Sequence, residues 1–82
     1  MSTTKEDLSR WFDNGLLVQA THMIIVCDTY DYEDFPVYVY ATQDVKAEQA
    51  HQANKPMQKI MEIYNLSLNK EVQLNEPRSY NI

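Results

Sequence analysis

Apolar residues recur at two spacings along this chain, and each spacing predicts its own kind of element. Leu8, Trp11 and Phe12 fall three and four residues apart, and Gly15 and Gln19 continue the same side of the turn. Thr3 or Thr4 precedes them as an N-cap. Glu6, three residues after Thr3, completes a capping box, and Asp7 adds negative charge where the helix dipole favours it. The spacing predicts a helix from about residue 4 to Gln19. Asn14-Gly15 would serve as an earlier stop, but ending there leaves Leu16, Leu17 and Val18 as an apolar loop. Gly15 is therefore expected inside the helix, at a point where another backbone comes close.

The stretch from Thr21 to Asp28 is β-branched in its middle and apolar at consecutive positions, as expected of a strand covered on both faces. Phe35 to Ala41 alternates Val37 and Val39 with Tyr38 and Tyr40, giving an aliphatic and an aromatic face. Pro36 is acceptable near the opening of that strand, where no ladder donor is required. Thr29 to Asp34 is short enough to join the two strands as an antiparallel hairpin. It lacks the Gly or Asn of a tight hairpin turn, so a longer ordered loop is expected.

Asp44 caps a helix through about Gln52, whose apolar face is thin (Ala47 and Ala50). Pro56 cannot sit inside a continuous helix, so a new helix is placed from Asn54 with Pro56 in its first turn. Met57, Ile60, Met61 and Tyr64 then fall at i, i+3, i+4 and i+7. Ser67 opens a last short helix holding Leu68, Val72 and Leu74, which Pro77 ends, and residues 76–82 read as a flexible tail. The fold class is α+β: one domain over 1–82, an antiparallel β-hairpin packed by three to four helices in the order α-β-β-α-α. Two strands alone are marginal in water, and the Tyr38/Tyr40 face lacks a cover. Dimerisation through a strand edge or that face would complete the sheet, so a homo-oligomer is expected.

Composition narrows the function classes. At 82 residues the chain buries only roughly 60% of its unfolded surface, so it has one small core. Twelve acidic against seven basic side chains give a net charge of -5, which argues against direct binding of nucleic acid or an anionic membrane. A single cysteine, Cys27, excludes an internal disulfide and favours a reducing, cytoplasmic setting. The polar residues at the start do not have the order of a signal peptide, and the apolar runs are far too short to span a bilayer. With one glycine there is no phosphate-cradling loop.

The segment most suggestive of function is Asp28 to Phe35, with four carboxylates (Asp28, Asp31, Glu33, Asp34) and three rings (Tyr30, Tyr32, Phe35) in eight residues. Such acids repel one another unless a cation or a basic partner is near, and aromatics supply rigid contact area. They read either as a solvated acidic turn or as a recognition surface for a basic partner, with Asp28, Asp31, Glu33 and Asp34 as charge complement and Tyr30, Tyr32 and Tyr38 as anchors. Their spacing fits no calcium loop. His22 and Cys27 have opposite strand parity, so they share no zinc site, and an apolar setting leaves Cys27 inert. No metal, cofactor or catalytic residue is assigned.

The run Thr21 to Thr29, followed by Tyr32-Glu33-Asp34-Phe35-Pro36-Val37-Tyr38-Val39, resembles short uncharacterised proteins of bacteria and their phages. Met57 to Tyr64 and Lys70-Glu71-Val72-Gln73-Leu74 add to the likeness. The resemblance brings no activity; it implies a phage-encoded cytoplasmic protein. The expected function is that of a non-catalytic acidic binding protein. It would inhibit a host protein by blocking a basic, nucleic-acid-binding site. The alternative is a small-ligand or nucleotide-binding sponge, with Trp11, His22, Tyr38 and Tyr40 lining a pocket at a dimer interface.

Overall fold

A computed structural model describes residues 3–82. The elements run α1 (Lys5–Leu17), β1 (His22–Asp28), β2 (Glu33–Val39), α2 (Val45–Ala53), β3 (Gln58–Asn65) and α3 (Lys70–Asn75). The α+β class and the antiparallel hairpin packed by helices are as expected. The three strands form one antiparallel sheet in the order β2-β1-β3.

β1 is the central strand, and Met23 to Cys27 are all buried. Its alternate residues serve two cores. Met23 and Ile25 join Leu8, Phe12, Tyr64, Leu66 and Leu74 beneath α1 and α3. Ile24 and Val26 join Val39 and Ile63, with Val37, Val45 and Ile60 beside them on the α2 side. The sheet is thus covered on both faces within one chain.

The helix expected over 57–64 is strand β3 instead. The cause is a β-bulge: Ile25 faces Glu62, but its neighbour Val26 faces Ile60, so Met61 is an extra residue. Across that insertion the strand's two-residue repeat becomes three. Ile60 and Ile63 face one core, and Met61 and Tyr64 the other. A bulged strand buried on both faces therefore reproduces helical spacing. Pro56 lies in the connection before β3, where Met57 takes a positive φ of 59°.

α1 begins one residue later than the Thr3 capping box would place it. Thr4 accepts from the Asp7 amide, and Asp7 returns a bond to the Thr4 amide. The helix ends in a Schellman arrangement. Gln19 donates to the Leu16 carbonyl and Ala20 to the Gly15 carbonyl, with Gln19 at φ 63°. Gly15 is inside the helix as expected, but side chains approach it rather than a backbone. A Cβ there would lie 2.7 Å from Leu66 Cδ1 and 2.9 Å from Tyr38 Cε1.

Residues 76–82, expected as a flexible tail, pack against β3. Ile63 donates to the Ser79 carbonyl and Asn81 to the Ile63 carbonyl, forming a parallel bridge at Tyr80. Gln73 ties this segment down: its amide nitrogen donates to the Asn65 and Asn69 carbonyls, and its oxygen accepts from Asn65 N and Asn81 Nδ2. Ser79 is fully buried and its hydroxyl donates to the Gln73 carbonyl. Apolar residues on one face cannot announce such a clasp, because side-chain amides make it.

The outer edge of β3 is thereby covered, and β2 forms the open edge. Ile63 points its amide and carbonyl outward, so Glu62 and Tyr64 bond β1 at Ile25 and Met23. The alternate β1 residues bond β2 at positions 33, 35, 37 and 39. Pro36 lies mid-strand rather than at the opening, and its missing N–H falls on the open edge.

Replacing Gly15 with Ala should destabilise the fold by about 1–2 kcal/mol. The overlap with Leu66 and Tyr38 outweighs the helix-propensity gain of roughly 1 kcal/mol. Urea unfolding followed by circular dichroism measures this, and a stabilised Gly15→Ala protein would contradict the packing described.

Candidate functional site

The hairpin connection is a four-residue turn, 29–32, rather than a longer loop. Two carboxylates shape it. Asp28 Oδ1 accepts from the Tyr30 amide at 2.9 Å, and Asp31 Oδ1 accepts from the Glu33 amide at 3.1 Å. Tyr32 occupies the left-handed region at φ 57°, the role a glycine or asparagine usually fills. The Thr29 amide donates to the Met57 carbonyl, which anchors the turn to the start of β3.

Held this way, the turn presents its rings outward. Tyr30 is 78% exposed and Tyr32 68% exposed. Phe35 and Met57 are also exposed at this end of the sheet. Asp31 and Glu33 are exposed, and Asp28 and Asp34 are half-buried. Among the described residues the ion pairs are Asp7–Arg10 at 3.0 Å and Asp13–Lys70 at 2.8 Å, and neither involves these four acids. Lys59 pairs with Cys27 from β3 and Asp34 from β2, so their backbones lie two strand spacings, roughly 10 Å, apart, and no ion pair forms between them. The end is therefore acidic and aromatic, and its four acids form no ion pair among the described residues.

Tyr38 does not belong to this surface. β2 runs away from the turn, so Tyr38 and Tyr40 lie toward its other end and form no continuous patch with the acids. The Tyr38 hydroxyl donates to the Trp11 carbonyl at 2.7 Å and accepts from Asn14 Nδ2 at 3.2 Å. It is a half-buried strut between β2 and α1. Trp11 packs against the same core. His22 pairs with Val39 and shares the α2-side face of Ile24, opposite Tyr38. Trp11, His22, Tyr38 and Tyr40 therefore do not line a common pocket within one copy.

Cys27 is buried, and burial, with Asp34 beside it, pushes its thiol above the usual range. It is held as a neutral core residue. The Tyr64 hydroxyl is pushed up by burial and by Glu62, so it too stays protonated. Its ring meets Phe12 edge-on, with centroids 6.4 Å apart. Among the described residues no three His, Cys, Asp or Glu side chains gather in a metal-binding group. An open cleft of about 500 Å³ between α1 and α3 mixes Lys5 and Arg10 with Glu6, Asp13 and Glu71, so it selects neither sign of charge. No helix among the described residues is long and apolar enough to cross a membrane.

The sequence pattern did not show Met57 as part of the acidic end, because the helical reading placed it in a core stripe. It also did not show that Leu16, Leu17, Val18 and Leu68 all remain exposed. Comparison with family models, curated proteins and solved structures finds no match.

His22 shows how burial controls charge near the sheet. Its Nδ1 is 3.0 Å from the Thr21 hydroxyl, while Nε2 is buried without a hydrogen-bond partner. Desolvation lowers its pKa below the usual 6.5, so the folded state holds the ring neutral. Below about pH 6.5 the unfolded chain takes up a proton that the folded chain resists, and stability falls as pH drops through the folded value. Between pH 7.5 and 5, His22→Leu should lose less unfolding free energy than the parent in urea titrations. Equal losses would show that the ring is not held neutral.

Proposed function

We propose that this protein is a non-catalytic binding protein whose acidic, aromatic end docks onto a basic surface of another protein. The observation that supports this most is the turn itself. Four carboxylates that form no ion pair among the described residues stand beside two tyrosines that are mostly in solvent. Burying those rings against a partner removes apolar area from water, and lysines or arginines on the partner would compensate the acids. The two aspartate-capped turns and the anchor to Met57 hold the surface in one shape before binding, which reduces the ordering cost. A nucleic-acid-binding site is the basic surface that best matches such a prong, because its Lys and Arg side chains are already arranged to meet regularly spaced negative charge. Occupying it would block the nucleic acid, and the function would be inhibition. In the phage setting that the sequence resemblance implies, the blocked protein would belong to the host.

The test uses a deca-arginine peptide as probe, titrated calorimetrically at low and at physiological salt. Asp31→Lys/Asp34→Lys should weaken binding about tenfold or more, and Tyr32→Ala should weaken it without altering the salt dependence. The control, Glu6→Lys/Glu71→Lys, makes the same change in net charge at the α1–α3 cleft and should have a much smaller effect. Equal losses from the two double variants would reduce the effect to net charge and overturn the docking site.

A further inference from the structure

The sheet carries a second unusual surface, at the end of β1 away from the acids. Three segments converge there. Ala20 donates to Gly15, Thr21 to Val39, and Leu66 to Thr21, all through the backbone. None of the segments 14–21, 36–43 and 63–69 contains an Asp, Glu, Lys or Arg. The chain's 12 acidic and 7 basic side chains all lie elsewhere. Of the nearest charges, Asp13 and Lys70 neutralise each other at 2.8 Å, and Asp44 is committed to capping α2.

This charge-free end exposes apolar side chains that the core does not use. Leu17, at the last position of α1, is 81% exposed, and Leu16, Val18, Tyr40 and Leu68 are also exposed. Gly15 is the reason the helix end sits there. It lets α1 press onto Leu66 and Tyr38, and the residues that follow stay partly or largely in solvent. Summed, the five side chains offer roughly 500 Å² to solvent at this end, comparable to the largest apolar patch on a typical monomer.

We propose that this end is the contact between two copies of the chain, joined end to end. Charge selects the occupant. A protein of net charge -5 repels its own copies over most of its surface, and the charge-free end is where two copies meet without like charges facing. A basic partner gains nothing there and is drawn to the opposite end. A symmetric pair would bury on the order of 1,000 Å², the lower bound for a specific interface. The open edge of β2 is a poorer meeting place for a copy. Pro36 removes a donor at its centre, and Glu33 and Asp34 would face their equivalents. β1 separates the two ends of a protomer by roughly 20 Å, so the acidic turns of the pair point outward about 40 Å apart, well beyond a Debye length. The proposal does not depend on the docking function of those turns.

Sedimentation equilibrium across low to high micromolar concentration tests it. The parent should shift from 9.6 kDa toward twice that mass with rising concentration. Leu17→Lys and, separately, Leu68→Lys should weaken the association about tenfold or more, with unchanged circular dichroism, because both side chains lie mostly in solvent. Asp34→Lys should leave it intact. A parent that stays monomeric throughout overturns the proposal, as does a dimer that survives both lysine variants. A dimer that responds to Asp34→Lys instead moves the contact to the β2 edge and also overturns it. Leu17→Lys should still bind the deca-arginine probe, which separates this result from that of the acidic end.

Discussion

A strand with no surface of its own governs this structure. Five consecutive residues of β1, Met23 to Cys27, are buried, so the strand needs a neighbour on each edge and a helix layer on each face. Every other element answers one of those needs. β2 and β3 supply the edges, α1 with α3 covers one face, and α2 covers the other. In so small a chain this leaves little redundancy, and two-sided burial of one strand lets a core of this size suffice. The reasons for expecting a second copy inside the sheet are also removed. The third strand and the cover over Tyr38 both come from the same chain.

The elements whose apolar period was unbroken were legible in the sequence. α1, β1, β2 and α2 stand close to where their spacing places them, with Thr4, one of the two expected caps, opening α1 and Asp7 rather than Glu6 completing its capping box. β3 was not legible, because one inserted residue, Met61, turned a period of two into the i, i+3 pattern of a helix. The turns that use Gln19, Tyr32 and Met57 at positive φ were also hidden. With one glycine in the chain, ordinary side chains take the left-handed positions at some strain, and the usual punctuation is missing. Of the candidate site, the exposed acidic turn was readable from composition alone. Tyr38 was misplaced because strand direction, not parity, decides which end of a strand a ring occupies. A charge-free stretch such as 14–21 is visible in the sequence, but its convergence with 36–43 and 63–69 requires the fold.

The distribution of charge follows from the same sheet. Turn 29–32 and the end of β1 collect carboxylates, while the helix-end and strand-end segments at the other pole collect none. A single rigid strand spans the distance between them. The two poles are therefore chemically distinct, one rich in carboxylates and the other without charged residues. This separation would let a small domain hold two interaction surfaces without either disturbing its core.

The interior is already committed. Cys27 and Tyr64 are protonated by burial, Gln73 and Ser79 are consumed in fastening the C-terminal segment, and His22 is held neutral. A group that takes part in proton transfer needs a pKa near the working pH and access to a reacting partner. Burial has moved these groups away from that condition, upward for the thiol and phenol and downward for the imidazole. The polar chemistry inside the molecule thus serves to fix its shape. Outside it, the turn leaves its rings and two of its carboxylates exposed, and the opposite end leaves aliphatic side chains exposed.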